Sequence, residues 1–180
     1  MKLAVIITIG IALILLALYA WFGGFKKIQF TIQETGGESL IYESHTGDYK
    51  NVGKVMDQMY YSLLNEEKVE CFRGFGIYYD NPRVVEKEKL HSEVGNILEN
   101  PTPDLLDRLS NKYTIKTLEK QRFLVTEFPY KNPFSVFMGI MRVYPAINRY
   151  IKENNLSEEG FVMEIYDVPQ KKIVYRKQLQ

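Results

Sequence analysis

Gly76-Ile77-Tyr78-Tyr79-Asp80-Asn81-Pro82 and Phe161-Val162-Met163-Glu164-Ile165-Tyr166-Asp167-Val168-Pro169 are the two stretches on which the fold turns. Each is a short run rich in aliphatic and aromatic residues closed by Tyr-Asp-x-Pro, so each reads as a strand that stops at a turn. Each follows a long segment of helical period. Val52, Val55, Met56, Met59, Tyr60, Leu63 and Leu64 form one apolar face. Phe134, Phe137, Met138, Met141, Tyr144, Ile147 and Ile151 form another, in a helix that opens at Pro133 and should kink or bend at Pro145. Tyr-Lys-Asn precedes both helices, at 49–51 and 130–132. Strand, long helix and closing strand thus occur twice in one order. The expectation is an α+β domain made of a duplicated βαββ unit, about 28–98 and 113–179. Halves of that kind packed side by side leave a central cleft, a favoured place for a ligand.

The remaining strands read outward from these. Lys27–Thr35 alternates polar and apolar residues before the turn at Gly36-Gly37, and Ser39–Ser44 runs to a break at Thr46-Gly47-Asp48. Leu90–Leu98, Tyr113–Leu118 and Arg122–Phe128 read as strands, with a short helix opening at Pro101-Thr102-Pro103. Phe161–Asp167 and Lys172–Leu179 close the chain as a hairpin.

Ahead of this domain, Leu3–Phe22 is an uncharged run of twenty residues. As a helix it spans about 30 Å, the thickness of a bilayer core. Tyr19, Trp21, Phe22 and Phe25 sit at its end like an interfacial belt, followed by Lys26 and Lys27. The run is longer than a signal-peptide core and lacks a small-x-small cleavage site, since Leu18 lies two residues before Ala20. The expected organisation is a retained single-pass anchor over residues 1–25 and one soluble domain over 26–180. Lys2 and the α-amino group nearly balance Lys26 and Lys27, so the charge rule decides little; the unpaired Cys71 leans the soluble domain towards the cytosol.

Composition narrows the chemistry. The chain has 23 basic and 22 acidic residues spread along its 180, a net charge of +1, and no basic tract suited to nucleic acid. One cysteine excludes an internal disulfide, and Cys71 with His45 and His91 is too small a set for a structural zinc site. Nucleotide loops, the Gly-x-Ser-x-Gly elbow and His-Glu-x-x-His are absent, so no cofactor or metal is expected. Gly74-Phe75-Gly76 reads as a close backbone approach within a strand, His45 as a hydrogen-bonding turn residue, and Glu127 as a solvent-facing strand residue.

Superposing the two Tyr-Asp-x-Pro motifs sets Phe75, Ile77 and Tyr79 against Val162, Glu164 and Tyr166. On that register Glu164 is a carboxylate on an otherwise apolar face. Such a group must be paired, solvated or raised in pKa, so it is either structural or a groove residue for a cationic or polar ligand. Tyr166, Tyr79 and Tyr144, with Met56 and Tyr60 on the first helix, are the aromatic and sulfur groups expected to line the groove beside it.

Glu43-Ser44-His45-Thr46-Gly47-Asp48-Tyr49, Gly76–Pro82, Leu90–Gly95 and Phe161–Tyr166 together resemble the ordered motifs of GyrI-like small-molecule-binding domains, over about residues 28–179. With the N-terminal anchor, Tyr78–Pro82, Phe128-Pro129-Tyr130, Arg142–Ala146 and Tyr150–Glu153, the likeness is closest to a membrane-anchored branch that includes an animal endoplasmic-reticulum autophagy receptor. That receptor has a long tail with an autophagy-binding motif, whereas this sequence stops at Gln180, which argues against the same role. The resemblance implies a cleft holding hydrophobic or cationic compounds, with Glu164 matching the family's late-strand glutamate. Some relatives are similar to hydrolases of strained toxins, in which case Glu164 and a tyrosine would be catalytic; others are effector-binding halves of transcription factors, a role that needs a DNA-binding segment not seen here. The reading is a membrane-anchored small-molecule-binding module, with a protein-interaction adaptor and a hydrolase as the alternatives.

Overall fold

A computed structural model describes all 180 residues. Helix α1 (Lys2–Trp21) is followed by β1 (Thr31–Thr35), β2 (Ser39–Thr46), α2 (Val52–Asn65), β3 (Arg73–Tyr78) and β4 (His91–Leu98). Then come α3 (Pro103–Ser110), β5 (Thr114–Thr117), β6 (Gln121–Pro129), α4 (Pro133–Glu153), β7 (Val162–Asp167) and β8 (Lys172–Gln178). Helix α1 is long and apolar enough to cross a membrane, and none of it is buried against the domain.

The strands form one eight-stranded sheet in the order β1-β6-β8-β7-β3-β4-β2-β5, with every neighbour antiparallel. Two strand–helix–strand–strand series, β2-α2-β3-β4 and β6-α4-β7-β8, meet where β3 pairs with β7. The outer strands cross over. β1 lies beside β6 and β5 beside β2, so the stretches 28–98 and 113–179 exchange their edge strands.

Helix starts follow local chemistry. Pro133 opens α4, and the Ser135 hydroxyl accepts the backbone N–H of Lys131 at 3.0 Å. Thr102 caps α3 by accepting from the Leu105 N–H at 3.3 Å. Helix α4 is continuous from Pro133 to Glu153 with Pro145 inside it, the position where the sequence predicts a kink or bend.

Both long helices cover the same sheet face. Beneath α4 pack Phe128, Met138, Val143, Ile147, Ile151, Ile173 and Tyr175. Beneath α2 pack Ile41, Met59, Leu63, Cys71, Leu98 and Leu109. The second face carries its own cluster of Leu40, Phe75, Ile77, Ile97, Leu118, Met163 and Ile165.

Candidate functional site

The β3–β7–β8 register builds the site. Gly76 stands opposite Glu164, and Glu164 opposite Tyr175, so the three form a row across the middle of the sheet. Tyr166 lies opposite Gly74, and Tyr78 opposite Val162, on that same face. The face is the helix-covered one: a Cβ on Gly74 would come within 2.9 Å of the Met56 sulfur in α2, and one on Gly139 in α4 would overlap the Tyr175 hydroxyl.

Glu164 is 2% exposed. Its carboxylate accepts from the Tyr144 hydroxyl at 2.8 Å and from the Tyr166 hydroxyl at 2.6 Å, and pairs with no lysine, arginine or histidine. Burial raises its pKa above the ordinary carboxylate value, and the two tyrosine hydrogen bonds offset part of that rise. Burial and the adjacent Glu164 charge push the Tyr144 and Tyr166 hydroxyls well above their usual pKa, so both stay protonated and donate. The Tyr78 hydroxyl lies beside that of Tyr166 and is raised by the same two causes. It occupies the space that the missing Gly76 side chain leaves open, since a Cβ there would sit 2.7 Å from it. Tyr49 and Tyr130 extend the aromatic surround, with ring centroids 4.9 Å from Tyr78 and 6.2 Å from Tyr166.

Tyr175 is fully buried and its hydroxyl has no hydrogen-bond partner. An unpaired buried hydroxyl costs about 1–3 kcal/mol. Tyr175→Phe should therefore raise stability by about 1 kcal/mol, or roughly 2–4 °C in Tm, measured by thermal unfolding. A fall in Tm would mean that the hydroxyl is satisfied in solution.

The structure thus brings Glu164, Tyr166 and Tyr144 into one hydrogen-bonded group. Met56 sits over Gly74, which neighbours Tyr166 across the β3–β7 pair, and half-buried Tyr60 packs edge-on to Tyr61 at 5.3 Å. Tyr79 is elsewhere. The superposition that set Phe75, Ile77 and Tyr79 beside Glu164 is one residue out of step with the sheet, and a one-residue slip turns a strand's side chains to the other face. Tyr79 donates to Glu93 at 2.7 Å on the second face, packs against Phe161 and is 44% exposed. The residues missed were Tyr78, Gly76 and Tyr175. The Tyr78-Tyr79 pair held the signal, because adjacent tyrosines on a strand serve opposite faces.

A groove of about 500 Å³ lies on the second face, lined in part by Lys26, Lys27, Gln29, Arg73, Glu127, Asp167, Lys172 and Arg176. Its charges are largely paired, Lys172 with Glu127 at 2.6 Å and Arg176 with Glu38 at 2.8 Å. Its buried acid, Asp167, accepts from the Gln170 backbone N–H at 2.9 Å, whereas the buried Glu164 carboxylate has only tyrosine hydroxyls as partners, which makes the Glu164 cluster the stronger candidate. No group of three or more His, Cys, Asp or Glu side chains is placed to hold a metal ion.

Comparison with known proteins agrees with this architecture. Residues 29–175 match the GyrI-like small molecule binding domain. Human testis-expressed protein 264 is 29% identical over 160 residues, covering 82% of this chain and 49% of that protein, so the chain spans about half the length of this relative. Among solved structures, SAV2435 bound to tetraphenylphosphonium superposes with a TM-score of 0.53 at 13% identity, over 84% of this chain and 94% of that one. The EcmrR C-terminal domain superposes with a TM-score of 0.59 at 6% identity, over 85% and 98%.

Proposed function

This chain belongs to the GyrI-like small-molecule-binding domain family, and we propose that it is a membrane-anchored member that takes an amphipathic or cationic small molecule at Glu164. The ligand lies between the two βαββ units, which on this reading arose by duplication, and α1 holds the domain at the bilayer. One observation carries the reading: a carboxylate shut inside a tyrosine-lined core with no cation of its own. A paired buried acid would be structural. This one keeps half of an ion pair unfilled, at the junction where β3 meets β7.

A delocalised cation fits such a site better than a small hydrated one. Its charge is weakly hydrated, so little desolvation opposes burial, and its apolar groups pack on tyrosine rings that also attract cations. Tetraphenylphosphonium, the compound bound to SAV2435, has this chemistry and is the natural probe. For it to reach the carboxylate, Tyr144 or Tyr166 must swing off Glu164, since both oxygens are occupied by their hydroxyls.

Calorimetric titration of the full chain with tetraphenylphosphonium, in nanodiscs matched to empty controls, tests the reading. Binding should be saturable and should weaken as pH falls through the raised pKa of Glu164, because a neutral carboxyl no longer attracts the cation. Below that midpoint the loss should be about tenfold per pH unit. Saturable binding that ignores pH would remove Glu164 as the charge that recognises the ligand.

A further inference from the structure

Helix α4 buries one face on the sheet, and its outer face changes character halfway along. In its first half Phe134, Phe137, Ile140 and Met141 are between 46 and 59% exposed. Beyond Pro145 the exposed positions are Asn148, Arg149, Lys152 and Glu153. A helix face that met only water along its whole length would be polar along its whole length.

The apolar half is the one joined to the end of α1. The Phe22 ring meets Phe134 edge-on at 4.9 Å, and Phe134 lies 5.8 Å from Phe137. Lys131 Nζ donates to the Trp21 carbonyl at 2.8 Å and sits 3.8 Å from the indole centroid. Arg142 donates to the Lys26 carbonyl at 2.9 Å and to the Tyr19 hydroxyl at 3.2 Å. Trp21 and Phe25 remain largely exposed beside this junction. The strip on α4 therefore continues the aromatic end of α1 without a break.

Charge around the strip is of one sign. Residues 1–33 contain no Asp or Glu but carry Lys2, Lys26 and Lys27. Residues 128–152 contain none either, and carry Lys131, Arg142, Arg149 and Lys152. Aromatic and aliphatic side chains rimmed by Lys and Arg partition into the headgroup layer of a bilayer with anionic lipid. A symmetric contact with a second copy would set Lys131 and Arg142 against their own kind, with no carboxylate in these stretches to pair them.

We propose that the outer face of α4 from Phe134 to Met141, with Trp21 and Phe25, seats in the headgroup layer of an anionic membrane, the same bilayer that α1 crosses. The domain then lies against the membrane in one orientation instead of swinging from its anchor. This rests on the reading of α1 as a membrane span.

The test uses nitroxide labels on the full chain in nanodiscs of phosphatidylcholine and phosphatidylserine. The buried Cys71 is replaced by serine, and single cysteines are placed by Phe137→Cys, Met141→Cys, Tyr61→Cys on the exposed side of α2, and Ile14→Cys within α1. Each variant is first checked for a wild-type melting transition. The ratio of oxygen to nickel-chelate accessibility at 137 and 141 should be lipid-like, between that at 14 deep in the span and that at 61, and several-fold above the latter. Omitting phosphatidylserine should move both towards the value at 61; no such change would overturn the anionic surface as the occupant. A lipid-like label at 14 with water-like labels at 137 and 141 would overturn the seating while leaving the anchor. A water-like label at 14 would overturn the anchor itself. Labels at 137 and 141 shielded from both reagents would mean that protein, such as a second copy, covers the face, and would overturn the proposal too.

Discussion

Glu164→Gln should weaken tetraphenylphosphonium binding more than a hundredfold while making the free protein more stable. The two effects have opposite signs because one charge causes both. Removing one member of a buried, hydrogen-bonded charge pair costs about 3 kcal/mol or more of binding, which is over a hundredfold in Kd. In the free protein the same charge has no counter-ion, and burial already holds its pKa up. Glutamine keeps the shape and an oxygen for the Tyr144 or Tyr166 hydroxyl, and sheds the desolvation cost of the anion. The expected gain is about 1–2 kcal/mol, or roughly 2–8 °C in Tm.

Its pH dependence separates this from a general packing effect. A carboxyl whose folded pKa is raised above its unfolded value contributes stability that is full below the unfolded pKa and lost as pH rises through the folded one. The wild type should thus lose this contribution on going from acid to neutral pH. The difference between Glu164→Gln and wild type should be greatest at neutral pH and shrink towards zero in acid, when Glu164 is neutral too. Melting curves of both proteins from acid to neutral pH read it directly. A constant gap would place the gain in packing instead of charge, and equal binding in both proteins would discard Glu164 as the recognition group.

Gly95→Ala should cost about 3 kcal/mol or more, lowering Tm by roughly 6–12 °C. Gly95 lies in β4 opposite Tyr42 of β2 and Phe75 of β3. A Cβ there would overlap the Ile41 carbonyl oxygen and stand 2.8 Å from the Tyr42 Cα and 2.9 Å from the Met59 sulfur. The first two are backbone atoms of a paired strand, so relief requires moving the β2–β4 ladder, which runs from Ser39–Leu98 to Thr46–His91. With a native stability of about 5–15 kcal/mol, such a loss is a large share of the whole. Gly53→Ala is the matched control. It sits on the exposed side of α2 with nothing within 4 Å of the new Cβ, and should stabilise by about 0.5–1 kcal/mol through helix propensity alone. Both are read by thermal or urea unfolding followed through the tyrosine signal. Two variants with the same sign would mean that helix and strand propensity, not the close approach, governs Gly95.

Much of the architecture was legible from local pattern. The apolar periods over 52–64 and 134–151 place α2 and α4 within a residue or two, because helix faces are written every three or four residues. The strands read up to Tyr-Asp-x-Pro are β3 and β7, which end at Tyr78 and Asp167, ahead of Pro82 and Pro169. Glu164 was conspicuous as a carboxylate amid apolar strand residues. Local pattern failed at the edge strands, since pairing partners for 31–35 and 114–117 are chosen across the whole sheet.

The candidate site divides along the same line. The residues themselves determined that two amphipathic helices cover a sheet, that a twenty-residue apolar helix leads it, and that one strand carries an acid among apolar neighbours. Those are properties of short windows, set by side-chain period and transfer free energy. Tyr166 meets the acid from two residues along its own strand, but what the neighbouring strand adds, Gly76 opposite Glu164 and Tyr78 on the same face, was decided only when β3 paired with β7. Strand register is a contact between segments about ninety residues apart in sequence, and a shift of one residue exchanges Tyr78 for Tyr79. The closeness of Tyr144 likewise follows from α4 settling on β8 at Gly139, where the absence of a side chain lets the helix approach Tyr175. Long-range pairing and close packing, which leave little trace in any one window, turn an odd glutamate into a tyrosine-held buried anion.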